Sequence, residues 1–208
     1  FDHTARALAE INWTDYKITL SDFYRYFSDR AGSEDVNRVK RQNNFLEATI
    51  GAEFDQLGFE AGYTFGVENF ISDNTLFSSA LGDITYHDKD RFLNTFAGQL
   101  SYRFLPKLSF LLDSILGILT YDSPKSSDSW YTEILMGLLG ELHEDFSTNL
   151  KGGFRYQSYD TSELTDSNDF IGVVASGGIS YRHTRDDIIN FNVEKGYIRI
   201  YVSEPELL

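Results

Sequence analysis

Ten stretches of this chain alternate apolar and polar residues with a period of two, and the connections between them are tight and long by turns. A strand sends successive side chains to opposite faces, whereas a helix repeats every three to four residues, so the period dictates strands. The stretches are 5–13, 16–27, 44–55, 58–70, 92–104, 108–121, 130–143, 146–159, 169–182 and 186–201. Tight turns centre on Thr14, Gln56, Pro106, Glu144 and His183, and the longer polar connections are 28–43, 71–91, 122–129 and 160–168. Two strands in each repeat of about 40 residues make a hairpin, not a four-stranded propeller blade or a pair of solenoid helices.

The alternation is cleanest in the seventh and eighth stretches. Trp130, Thr132, Ile134, Met136, Leu138 and Leu142 share one face, opposite Tyr131, Glu133, Gly137, Glu141 and His143. Likewise Phe146, Leu150, Phe154 and Tyr156 oppose Ser147, Asn149, Lys151, Arg155 and Gln157. The polar set cannot face hydrocarbon, because a charge at bilayer mid-depth costs about 2–4 kcal/mol. Two orientations satisfy this pattern. A soluble sandwich or lipocalin-like barrel buries its apolar face, and a membrane barrel turns that face to lipid.

Three features favour the membrane. Strands of roughly 10–14 residues match a tilted membrane strand and exceed the usual five or six of soluble sheets. Aromatics gather near strand ends, at Trp13, Tyr16, Tyr24, Phe54, Phe59, Tyr102, Phe104, Trp130, Tyr156 and Tyr181, as at a lipid–water interface. Gly62, Gly66, Gly137, Gly153, Gly172 and Gly178 fall largely on the polar face, where a closed sheet is crowded. Short turns at one end and long loops at the other complete the expectation of an all-β, antiparallel, up-and-down transmembrane β-barrel in a bacterial outer membrane. Lipid permits no open sheet edge, so about ten strands must close alone or with another chain.

Composition agrees. Aromatics reach 15% and Gly numbers 16 against 3 Pro, a mixture suited to pleated strands. No apolar run approaches the roughly 20 residues of a membrane helix. Cysteine is absent, which excludes disulfides and thiolate metal sites, and a net charge of -14 argues against a nucleic-acid partner. Nothing marks a linker, so residues 1–208 read as one domain. The abrupt start at Phe1 and an end at Leu208 without a terminal aromatic strand lead us to expect further residues at one or both ends.

The segment Gln99-Leu-Ser-Tyr-Arg-Phe-Leu-Pro-Lys-Leu-Ser-Phe110, with Thr120-Tyr-Asp122, Gly137-Leu-Leu-Gly-Glu-Leu and Leu150-Lys-Gly-Gly-Phe-Arg-Tyr-Gln-Ser-Tyr159, resembles the outer-membrane β-barrel porin family associated with exopolysaccharide and capsule export in Gram-negative bacteria. The resemblance covers roughly residues 5–200 and lies in the strand–turn–strand pattern. It implies a longer chain and a role in polysaccharide export, and it transfers no functional residues.

The residues themselves point to a passage or scaffold in the outer membrane, or to a narrow sealed barrel with a structural or partner-binding role. Lumen-lining charges are expected at Glu47, Glu60, Arg103, Asp113, Glu133, Glu141, Lys151 and Arg155. If the fourth turn centres on Glu144, residues summing to 288 face each other, which sets Glu133 opposite Arg155 and Gly137 opposite Lys151. Such a pair reads first as a structural bridge and second as a charge-selective constriction. The implied partners are the lipid bilayer and lipopolysaccharide, with periplasmic export proteins or further barrel chains. A rim hydrolase is the rival from another class: Asp83, His87, Asp88 and Asp90 supply acids and an imidazole, but without a Ser–His pairing. The same loop lacks calcium-loop spacing and reads as solvated, and neither a cofactor nor a metal is implied.

Overall fold

The computed structural model describes residues 2–29, 39–71, 75–79, 82–162, 168–182 and 188–200. The protein is all-β. Its ten long strands are β1 (His3–Asn12), β2 (Tyr16–Asp29), β3 (Val39–Phe54), β4 (Leu57–Phe70), β7 (Arg91–Leu105), β8 (Leu108–Tyr121), β9 (Ser129–His143), β10 (Phe146–Tyr159), β11 (Asn168–Arg182) and β12 (Ile188–Ile200). They form one antiparallel sheet in which each strand pairs with its neighbour in the chain. A separate hairpin, β5 (Thr75–Ser79) with β6 (Gly82–Thr85), interrupts the connection from β4 to β7. The long strands run 10–16 residues, beyond the usual soluble length. Among the described residues no helix is long and apolar enough to cross a membrane.

Local chemistry sets the turns. Only Asp55 and Gln56 separate β3 from β4, and Asp55 adopts φ 49°, a left-handed conformation that Asp tolerates better than most residues. Pro106 and Lys107 join β7 to β8, and Glu144 and Asp145 join β9 to β10. The fifth expected turn, at His183, lies outside the described residues. Around it Arg182 pairs with Ile188, and the β11–β12 ladder shifts register near Gly177, whose φ of 156° favours glycine.

Two expectations need correction. Segment 71–91 is not a bare solvated loop, for it holds the β5–β6 hairpin and a 3-10 turn at His87–Lys89. Segment 28–43 is shorter than expected, because β2 runs to Asp29 and β3 begins at Val39. Lys40 and Arg41 therefore belong to a strand. Arg41 lies over the Phe27 ring at 4.5 Å, a cation–π contact within the sheet.

Register pairing divides the side chains into two faces. One carries Leu20, Leu46, Ile50, Phe59, Phe96, Leu100, Leu116, Ile134, Met136, Leu150, Phe154 and Ile171. All of these are exposed, Met136 at 57% and Phe154 at 66%. The other carries the charges, yet holds the buried residues Leu111 at 2%, Glu133 at 1% and Val174 at 0%. The sheet thus curls with its polar face inside, the reverse of a soluble domain. The inside is not wholly polar, since Leu111, Leu135 and Val174 share it with the ion pairs. The sheet order begins with β1 and ends with β12, and among the described residues no ladder joins those two strands.

Candidate functional site

The inward face of β7–β10 brings its charges together through register. Glu133 on β9 stands opposite Arg155 on β10, and Gly137 opposite Lys151, as the turn at Glu144 predicts. The Arg155 guanidinium lies 3.9 Å from the Glu133 carboxylate and 3.7 Å from the centre of the Tyr131 ring, and it donates to Gln157 Oε1 at 2.9 Å. Gln157 Nε2 donates in turn to Ser129 Oγ at 3.5 Å. Tyr131 lies over Gly117, where an added Cβ would meet the ring at 2.1 Å.

A second cluster lies nearer the tight turns. Asp113 on β8 accepts from Gln99 Nε2 on β7 at 2.8 Å and from Lys151 Nζ on β10 at 2.5 Å. Lys151 skips a strand to reach Asp113 and passes over Gly137 on β9, where a Cβ would meet the Leu150 carbonyl oxygen at 2.3 Å and Lys151 Cγ at 2.9 Å. A third cluster lies toward the long loops. Arg91 pairs with Glu68, which accepts from Asn43 Nδ2 at 3.2 Å, while Arg91 also donates to Tyr121 Oη at 3.4 Å.

The remaining expected charges stand apart from these clusters. Glu47 is exposed and accepts from Ser21 Oγ at 3.4 Å. Glu60 and Glu53 line an open recess of about 340 Å³ near the tight turns, with Trp13, Lys17, Gly51, Gln99 and Ser101. Arg103 is exposed at the same end of the sheet. Glu141 is exposed and bonds Lys107 at 2.6 Å, so it belongs to the rim of the sheet beside a turn.

At the opposite end, the acids around His87 serve the loops themselves. Asp88 accepts from Thr85 N–H at 2.7 Å and Ser123 Oγ at 2.6 Å, and Lys125 Nζ stands 3.4 Å away. The Ser123 hydroxyl, the Thr85 groups and Lys125 hold the Asp88 carboxyl at about 2, against an ordinary 3.8. Asp90 accepts from Phe70 N–H at 2.6 Å and lies 3.2 Å from His87 Nδ1. Lys125 Nζ also donates to the Asp83 carbonyl at 2.7 Å. These bonds fasten segment 82–90 to segment 122–128, and no group of three metal-ligating side chains occurs among the described residues.

Sequence reasoning missed three parts of this arrangement. The Gln99–Asp113 contact was legible, since a turn at Pro106 pairs residues summing to 212. Arg91–Glu68 was not, because a long inserted hairpin separates β4 from β7 and hides their register. The Asp88 clamp spans two long loops, and periodicity carries no signal there.

No known protein family matches the chain, and no curated protein proved detectably similar to it.

Proposed function

We propose that this chain forms the wall of a bacterial outer-membrane β-barrel, with the exposed apolar face against lipid and the curled polar face around a narrow lumen. One observation carries this reading: the large apolar side chains of one face are exposed, while Leu111, Glu133 and Val174 on the charged face are buried. Among the described residues, charged side chains on the outward face of the long strands β2–β11 are few, at Asp22, Lys40 and Asp169. The inward face carries Arg25, Arg41, Glu47, Glu60, Glu68, Arg91, Asp113, Glu133, Lys151 and Arg155. Hydrocarbon tolerates the first distribution and rejects the second. A soluble barrel requires the opposite arrangement.

The proposed lumen is narrow because about eight strands already give an interior that side chains fill. The ion pairs of β7–β10 favour a sealed or scaffolding barrel over a wide aqueous channel. Export of polysaccharide rests on the family resemblance alone. In lipid the edges of β1 and β12 must pair, with each other or with another chain, because each unsatisfied backbone group costs several kcal/mol.

The test is reconstitution into phosphatidylcholine vesicles with lipopolysaccharide. The chain should float with the vesicles after an alkaline wash and migrate differently in gels when unheated. A folded, monodisperse protein in detergent-free buffer overturns the reading.

A further inference from the structure

We propose that Asp113 acts as a latch that holds the Lys151 ammonium against the wall, and that this latch sets how freely and with which sign small ions pass along the inward face. The inference rests on the membrane-barrel reading. Its basis is the path of the Lys151 side chain. The residues beside Lys151 in the ladder are Gly137 on β9 and Ser176 on β11, and neither carries a charge. Lys151 instead lies down over Gly137 and reaches the carboxylate two strands away at 2.5 Å.

Asp113 is fixed from its other side by Gln99, so the acceptor does not swing toward the ammonium; the ammonium comes to it. Both side chains are largely covered, Asp113 at 14% exposure and Lys151 at 22%. A lysine held flat withdraws its charge from the axis. In an interior scarcely wider than its side chains, one extended lysine occupies much of the free cross-section. Breaking the bridge therefore changes both the space and the fixed charge. Asp113→Asn leaves an ammonium without its carboxylate and favours anions, and Lys151→Met leaves a carboxylate and favours cations. Arg155 and Glu133 do not fill this role, because they stand opposite each other in the ladder and the guanidinium also lies on the Tyr131 ring and donates to Gln157.

The experiment is planar-bilayer recording of the full chain in a tenfold KCl gradient. The parent should show low conductance and weak selectivity. Both variants should conduct several-fold more, with zero-current potentials displaced in opposite directions. The exchanged pair Asp113→Lys with Lys151→Asp should return conductance toward the parent value, which guards against a loss of folding in the single variants. Variants that insert with the parent's conductance and potential overturn the latch and leave the membrane reading standing. A parent chain that does not insert overturns both.

Discussion

Two lysines of the inward face sit opposite glycines, and they end differently. Lys151 faces Gly137 and lies across it, while Lys17 faces Gly51 and turns away. The partner decides. Asp113 lies beyond Gly137, so the shortest path to it crosses the glycine. Glu10 lies on β1, on the far side of Lys17 from Gly51, and bonds it at 3.0 Å. The region around β8–β10 is filled as a result, whereas Gly51 faces the open recess, its nearest neighbour being a carbonyl oxygen 3.8 Å from an added Cβ. Glycine creates room on this face, and the position of the opposite charge determines whether the room is used.

Perturbations that act on only one of these regions can break the contrast. The largest effect is expected at Glu133, 1% exposed beside Arg155. Glu133→Ala leaves the Arg155 guanidinium, only 17% exposed, without its carboxylate and should cost about 3 kcal/mol in urea unfolding from detergent micelles. At the long-loop end, the Asp88 clamp ties the β4–β7 connection to the β8–β9 connection. A carboxyl whose folded value is depressed contributes stability above its unfolded value and loses it as pH falls through the folded one. The clamp, worth about 2 kcal/mol, is complete above pH 4 and released near pH 2. Hydrogen exchange of the Thr85 amide should accelerate through that window, and Asp88→Asn should abolish the step.

A smaller effect separates the glycines. Gly117→Ala drives a methyl into the Tyr131 ring and should destabilise by about 1 kcal/mol. Gly51→Ala should be neutral or stabilising by about 0.5 kcal/mol, because space exists and the unfolded chain loses freedom. Equal thermal shifts for the two variants would erase the distinction. The smallest effect belongs to Glu10→Gln, which frees Lys17 from an exposed pair worth about 0.5 kcal/mol. Lys17 should then cross Gly51 toward Glu60, its register neighbour on β4, and chemical cross-linking of Lys17 to Glu60 should rise.

Period two places every long strand to within about five residues, because side chains alternate between the two faces along a strand. The turns at Pro106 and Glu144 yield registers by simple pairing, and with them Gln99–Asp113 and Glu133–Arg155, whereas the β3–β4 pairs sum to 111, one residue off a turn centred on Gln56. What stayed hidden follows from reach and curvature. A side chain that skips a strand, as Lys151 does, leaves no trace in nearest-neighbour register. Segment 71–91 concealed a hairpin because β5 and β6 are 5 and 4 residues long, too short for alternation to stand out. Orientation was the larger gap: the pattern fits an apolar face inside or outside equally well, and the burial of Glu133 beside the exposure of Phe154 sets the apolar face outside.

That orientation is the central claim, and a chain without cysteine allows it to be read residue by residue. Nitroxide labels on single cysteines at Phe96, Leu100, Met136 and Phe154, against Ala97 and Ser101, should be measured in vesicles for collision with oxygen and with a water-soluble nickel chelate. The outward four should favour oxygen and the inward two the chelate, alternating residue by residue along β7. Labels at Ala97 and Ser101 that favour oxygen, or at Phe96 and Leu100 that meet the chelate freely, would contradict the account.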